Sequence, residues 1–278
     1  MIIWIASYPK SGNTYVRSFL ASYYYSNKGK FDFDLLLNIK QFPALRYSQK
    51  KSYTFLDAAG NWIINQKKFF EKDKNYFLKT HNSMEEYYGN KFTTSSETMG
   101  AIYLVRDPRN VITSMCNHYS LDLNKALNKM IDPNSSLSFK TLDSDYSNFT
   151  FLGTWSNHYK SWKNNFNFKT LIIRYEDLQE NAHDEFRKIV NFIEELKGTN
   201  NSINEKKLEN SVNSTKFSNL KNKEQLYGFG ESPISKDGKK INFFNLGFKN
   251  KWEKTLPKEI SDKIKDKFLN ELKELKYE

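Results

Sequence analysis

The sequence predicts an α/β protein: a single domain, residues 1–278, built on a parallel β-sheet flanked by helices. Three observations carry this. Four short apolar, β-branched or aromatic runs occur at Ile2–Ala6, Tyr76–Lys79, Ala101–Val105 and Thr170–Ile173. Helical patterns separate them, as in repeated β-α units. The runs are continuously apolar rather than alternating, which fits strands covered on both faces. In such sheets binding sites lie just beyond the carboxyl ends of the strands.

The elements follow in order. Ile2–Ala6 is too short for a signal-peptide core, lacks a basic leader and reads as a first strand. Helices are expected over Thr14–Tyr25, Gly60–Phe70, Pro108–Tyr119, Phe149–Asn165, Leu178–Leu196 and Lys258–Leu275. Lys197–Lys223, rich in Asn, Ser and Lys, reads as a solvated helix–loop stretch anchored by Phe217 and Leu220. A chain of 278 residues buries a full core. Only 38% of its residues are hydrophobic while aromatics reach 16%, so Phe and Tyr are the expected core fillers. The single cysteine, Cys116, excludes an internal disulfide and a cysteine zinc site. No run approaches the about 20 apolar residues of a membrane span, so a cytoplasmic protein is expected. A formal charge of +11 points to an acidic partner, although lysine is abundant throughout.

"SYPKSGNTYVR", Ser7–Arg17, follows the first strand and opens a helix. That order puts free backbone amides and the positive dipole end at one spot. Gly12 permits close approach of a ligand. Lys10 adds a mobile charge, Thr14 a hydroxyl, and Pro9 stiffens the entry. "YLVRDPRNVITSM", Tyr103–Met115, holds Arg106 at a strand end, with Asp107 as helix cap and Pro108 in the first helical position. Ser114 lies two turns further on. "FLKTHN", Phe77–Asn82, ends a strand with Lys79 and His81. An imidazole there is placed to take a proton near neutral pH. His118, His158 and His183 carry no comparable context and read as helix residues.

"YPKSGNT" resembles the 5′-phosphosulfate loop of the sulfotransferases that use 3′-phosphoadenosine 5′-phosphosulfate. The other stretches fall into register with that family. Arg106 and Ser114 match its 3′-phosphate pair, separated by eight positions. An arginine fork suits a terminal phosphate. Lys79 and His81 match its Lys-x-His, with His81 as the base. "IIRYEDL", Ile172–Leu178, resembles its Y-E-D element, which places Tyr175 near the adenine. "STKFSNLK", Ser214–Lys221, resembles its adenine-covering segment through Thr215 and Phe217. Tyr15 replaces the usual Trp and keeps a face for stacking.

The family's closing Arg-Lys-Gly is altered. In "FFNLGFKNKWEK", Phe243–Lys254, Gly247 and Trp252 keep their separation, but Asn245 and Leu246 replace the cations. Either Lys239, Lys240, Lys249 or Lys251 substitutes from nearby, or Arg106 and Ser114 work with the Gly247 backbone N–H alone. The resemblance implies a P-loop-like sulfotransferase fold with 3′-phosphoadenosine 5′-phosphosulfate as donor and no metal. Lys10, Ser11, Gly12, Asn13, Thr14, Tyr15, Arg106, Ser114, Tyr175, Thr215, Phe217 and Gly247 would hold the donor. His81, Lys10 and Lys79 would perform transfer to a hydroxyl or amine on a small molecule, sugar or lipid-linked acceptor. Peripheral membrane contact is compatible with that; a nucleic-acid partner is not expected.

Two other functions compete with this reading. A P-loop kinase using ATP and Mg²⁺ wants its lysine after the second glycine, whereas Lys10 precedes the only glycine of this loop. A non-enzymatic polyanion binder finds support only in "YSQKKSY", Tyr47–Tyr53, as a stacking groove. Acceptor loops are expected at Phe31–Tyr53, Tyr87–Phe92, Leu121–Asp145 and Leu226–Ile241. They carry Phe42, Tyr47, Tyr53, Tyr87, Tyr227 and Phe229, for each of which core packing is the plainer role.

Overall fold

The computed structural model describes residues 1–138, 144–199, 202–235 and 238–278. Its strands are β1 (Ile2–Ser7), β2 (Lys40–Gln41), β3 (Tyr76–Thr80), β4 (Thr98–Val105), β5 (Ser136–Leu137), β6 (Thr150–Phe151) and β7 (Thr170–Arg174). Five of them form one parallel sheet in the order β2-β3-β1-β4-β7. The four expected strands are all present. The two-residue edge strand β2 has no apolar run to announce it.

Both faces of the sheet are apolar, and β1 shows why. Ile2, Trp4 and Ala6 join one core with Leu78, Ala101 and Tyr103. Ile3 and Ile5 join the other with Phe77, Ile102 and Leu104. Strand side chains alternate between faces, so a strand buried on both must be apolar at every position. Helices Pro108–Tyr119, Leu123–Ile131, Trp155–Lys163 and Lys258–Glu274 cover the first face. Helices Asn13–Tyr25, Ala182–Leu196, Glu205–Ser214 and Phe217–Tyr227 cover the second.

Two expected helices are shorter than the periodicity implied. Over Phe149–Asn165, Thr150–Phe151 instead pairs antiparallel with β5, and the helix begins at Trp155. Gly153 at φ 64° breaks the pattern, and the Thr154 side chain accepts from the Asn157 amide as N-cap. Over Leu178–Leu196, Asn181 (φ −142°, ψ 62°) separates helix Tyr175–Glu180 from Ala182–Leu196. The Gly60–Phe70 helix starts earlier, because a Thr54–Asp57 capping box opens Phe55–Gly60 ahead of Trp62–Phe69. The Lys197–Lys223 stretch supplies helix Glu205–Ser214 and the start of Phe217–Tyr227, anchored by Leu208, Val212 and Leu220.

The chain leaves β1 toward β3 on one side and later places β4 on the other. The loops leaving β1, β3 and β4 therefore part at the carboxyl end of β1, which opens a crevice there. No helix among the described residues is long and apolar enough to cross a membrane.

Candidate active site

That crevice is a cavity of about 660 Å³, lined from β1, β3, β4 and β7 by their following loops. It gathers Lys10, Gly12, Asn13, Thr14, Tyr15, Lys79, His81, Arg106, Ser114, Tyr175, Phe217 and Gly247. Every expected site residue is in its wall except Ser11 and Thr215. Thr215 is fully buried, and its hydroxyl donates to the Ser211 carbonyl at 2.7 Å, one turn back in its own helix. Ser11 is also fully buried, yet its hydroxyl has no partner among the described residues.

The opening turn is bent for close approach. Lys10 adopts φ 67° and Gly12 φ 98°, both left-handed. The Asn13 amide group donates to the Ile5 carbonyl at 2.9 Å and to the Ser7 hydroxyl at 3.2 Å, tying the turn to β1. Helix Asn13–Tyr25 begins at Gly12 without a side-chain cap, so its first amides remain available toward the cavity. A Cβ on Gly12 would stand 2.4 Å from Cδ2 of Tyr175. The strained φ alone costs about 1–3 kcal/mol for a non-glycine residue. Gly12→Ala is therefore expected to lower the melting temperature and push Tyr175 out of place, a loss checked by thermal unfolding with and without 3′,5′-adenosine bisphosphate.

Arg106 is 6% exposed and forms no ion pair among the described residues. One nitrogen donates to the Lys10 carbonyl at 3.2 Å, its guanidinium lies 4.4 Å over the Tyr175 ring, and its Nε is unpartnered. Asp107, as expected, caps the next helix by accepting from the Arg109 amide at 2.9 Å. Burial, then the charges of Lys79 and Arg106, push the Lys10 ammonium down to about 7. Its Nζ sits 4.2 Å above the Phe243 ring.

His81 follows β3, two residues past Lys79. Its Nδ1 lies 2.8 Å from the Ser7 carbonyl, so that nitrogen carries the proton and Nε2 is the acceptor nitrogen. Burial, reinforced by the Lys79 charge, holds its pKa well below the ordinary histidine value. Behind it stands His158, fully buried in helix Trp155–Lys163. His158 Nε2 donates to the His81 carbonyl at 3.0 Å, and its Nδ1 accepts from the Tyr103 hydroxyl at 2.9 Å. Burial lowers the His158 pKa from 6.5 to about 4. A buried neutral histidine favours the fold above its unfolded pKa, and that stability is lost as pH falls toward the folded value. His158 alone contributes on the order of 3 kcal/mol of it. Denaturant midpoints are thus expected to fall between pH 6.5 and about 4, and to fall less in His158→Gln.

His118, Arg17 and Glu231 are among the side chains that enter the cavity without a sequence signal of function. His118 was expected only as a helix residue; it is one, but it lies one turn after Ser114 on the same helix face and lines the wall. Burial and the charge of Lys10 lower its pKa to about 3. Arg17 and Glu231 form an ion pair at 2.7 Å, and Glu231 also meets Lys79 at 3.2 Å. None of Lys239, Lys240, Lys249 and Lys251 lines the cavity; all four point to solvent. Lys221 reaches closer, donating to the Asn245 carbonyl at 3.0 Å. Gly247, at φ 54°, lies so close to Phe217 that a Cβ would stand 2.4 Å from that ring.

Of the described aromatics in the expected acceptor loops, Phe229 and Phe33 line the cavity. Phe42 is buried against Trp4 and Phe92, Tyr47 packs on Phe69 and Phe70, and Tyr87 on Phe149. Tyr47 thus belongs to the core rather than to a stacking groove, while Tyr53 and Tyr227 are exposed. Residues 139–143 of the Leu121–Asp145 loop and 236–237 of Leu226–Ile241 lie outside the described residues. Among the described residues no group of three His, Cys, Asp or Glu side chains could hold a metal.

A parallel sheet whose strand ends present a strained amide-rich turn, a buried arginine with no ion pair among the described residues and a tautomer-fixed histidine forms a candidate anion-binding site. Residues 2–276 match the model of the sulfotransferase domain family, and the chain belongs to that family. Sulfotransferase 1B1 of Canis lupus familiaris is 27% identical over 154 residues, a match spanning 55% of this chain and 47% of that protein. The match thus covers about half the length of that curated relative. The fold is similar to mouse sulfotransferase SULT7A1 complexed with PAP (TM-score 0.54, 18% identity, 96% of this chain and 84% of that one). It is also similar to retinol dehydratase in complex with androsterone and inactive cofactor PAP (TM-score 0.61, 16% identity, 98% and 80%).

Proposed function

We propose that the protein transfers a sulfuryl group from 3′-phosphoadenosine 5′-phosphosulfate to an acceptor hydroxyl or amine, using His81 as general base. The observation that carries this reading is Arg106: a buried guanidinium with no ion pair among the described residues, in one cavity with Lys10 and the open amides of helix Asn13–Tyr25. A site of that charge asks for an anion. Family membership selects sulfuryl over phosphoryl transfer and over plain polyanion binding. The residues present suit the donor: Ser11 Oγ, Asn13 Oδ1 and Arg106 Nε are buried polar atoms awaiting partners, and Gly12 and Gly247 leave close-fitting floors. The volume lies within the range of small-molecule sites.

The donor supplies the activated sulfuryl group. Lys10 and the turn amides, with Thr14, stabilise the charge that grows on the phosphate side as that group leaves. His81 Nε2 receives the acceptor proton, since Nδ1 is committed to Ser7. Lys79, in the same cavity wall, helps to bridge donor and acceptor. Arg106 and Ser114 grip the 3′-phosphate, and Tyr15, Tyr175 and Phe217 surround the adenine. One domain over 1–278 and a cytoplasmic setting, with peripheral membrane contact for a lipid-linked acceptor, complete the reading.

The test is incubation with labelled donor and a broad acceptor panel, read by mass spectrometry for the mass of SO₃. Stabilisation by ATP with Mg²⁺ but not by 3′,5′-adenosine bisphosphate overturns the reading. With Asn245 and Leu246 in place of cations and no substitute lysine in the wall, the 3′-phosphate is expected to add less affinity than the full motif provides. Comparing adenosine 5′-phosphosulfate with its 3′-phosphorylated form measures that increment.

A further inference from the structure

Two carboxylates line the cavity: Asp34 at its exposed rim and Glu231 further in, on the segment after helix Phe217–Tyr227. The Glu231 carboxylate is divided. Oε1 accepts from Arg17 NH1 at 2.7 Å, while Oε2 accepts from Lys79 Nζ at 3.2 Å. Arg17 is 3% exposed and is itself fixed, its NH2 donating to the Ile39 carbonyl at 3.0 Å. A carboxylate serving only as counter-ion to arginine would take the fork with both oxygens. Here one oxygen is anchored and the other is presented to a lysine.

Resting on the sulfotransfer reading above, we propose that Glu231 is a positioning residue: anchored by Arg17, it holds the Lys79 ammonium charged and aimed at the carboxyl end of β3, beside His81. A lysine side chain is long and loses much rotamer freedom when fixed, so an immobile partner is what aims it. The electrostatics agree. The groups acting on Lys79 and its neighbours are Lys10 from the opening turn, Arg17 from helix Asn13–Tyr25, His81 beyond β3, Arg106 beyond β4, His118 from helix Pro108–Tyr119, His158 from helix Trp155–Lys163, Glu224 from helix Phe217–Tyr227, and Glu231. Burial lowers the Lys79 pKa, Arg17 lowers it further, and Glu231 opposes both. Lys10, Arg17, Lys79 and Arg106 thus share one wall, and Glu231 is the carboxylate that meets Lys79 among them.

The experiment uses the full chain with lysine labelled at the ε-carbon, the Lys79 signal being assigned by its loss in Lys79→Arg. In Glu231→Gln the Lys79 titration midpoint is expected to fall by about one unit or more, a tenfold loss of proton affinity. With labelled donor and 4-nitrophenol as probe acceptor, kcat is expected to fall roughly tenfold or more with little change in donor KM. Glu231→Asp, which keeps the charge and shortens the reach, should lie between, and it decides the matter if the glutamine variant does not fold. An unmoved Lys79 midpoint in either variant overturns the proposal. So does a shifted midpoint with an unchanged kcat in an active enzyme. Wild-type protein that turns over no donor with any acceptor sinks the sulfotransfer reading instead, so the two failures are told apart.

Discussion

Replacing His81 with alanine is expected to lower kcat for sulfuryl transfer by about 10²–10⁴-fold, while the affinity for 3′,5′-adenosine bisphosphate stays within a few-fold of wild type. The size follows from what the imidazole does. One ring nitrogen is spent on the Ser7 carbonyl and fixes the tautomer. The other has no hydrogen-bond partner among the described residues and is, in the proposed function, the base. The backbone of residue 81 does not depend on that ring, because His158 holds its carbonyl from behind. Loss of the side chain should therefore remove a proton acceptor without collapsing the strand end. The pH profile adds a second reading. Burial holds the His81 pKa well below its ordinary value, so the ring stays neutral and active as pH falls from 7 to 6. A wild-type profile with no acid limb in that interval, and an alanine variant that melts as wild type but does not turn over, are the expected pair. An alanine variant with near-normal kcat removes His81 from the chemistry.

The parts of this site legible in the sequence are those whose function and position are set within a few residues. The Ser7–Arg17 turn, the Lys79–His81 strand end and the Arg106–Ser114 helix entry each combine a strand, a turn and a side chain at fixed spacing. The sheet brings their ends together because β1 lies between β3 and β4. Thr215 shows the limit of a local match. Its neighbour Phe217 reaches the cavity, but the threonine hydroxyl turns back on its own helix. Glu231 lay beyond reach for another reason: its partner Arg17 is 214 positions away, and no spacing rule joins them. His158 was hidden similarly, since its value lies in a bond to the backbone 77 positions earlier. Helix ends failed where one backbone conformation, at Gly153 or Asn181, outweighed an unbroken apolar pattern.

Replacing Lys10 with methionine is expected to weaken 3′,5′-adenosine bisphosphate binding by roughly tenfold to a hundredfold, the range for one charge-assisted hydrogen bond. Turnover should fall further, by about 10²–10³-fold, because the charge on the phosphate side is greatest in the transition state. The protonation state of this lysine supplies the sharper test. With a pKa of about 7 in the ligand-free cavity, the ammonium is half ionised at neutral pH. A phosphate brought beside it raises that pKa, so binding draws in a proton. The sign follows: affinity from this contact is complete below pH 7 and is lost as pH rises, by up to about tenfold per unit, until the bound-state pKa is reached. The ligand's own phosphates, with a second pKa of about 6, only gain negative charge as pH rises and so cannot produce the fall. Titration calorimetry in buffers of different ionisation enthalpy should therefore show about half a proton taken up at pH 7 and nearly one at pH 8. In Lys10→Met that uptake should vanish and the alkaline loss of affinity with it. Uptake that persists in the variant places the titrating group elsewhere in the cavity and removes Lys10 from the phosphate contact.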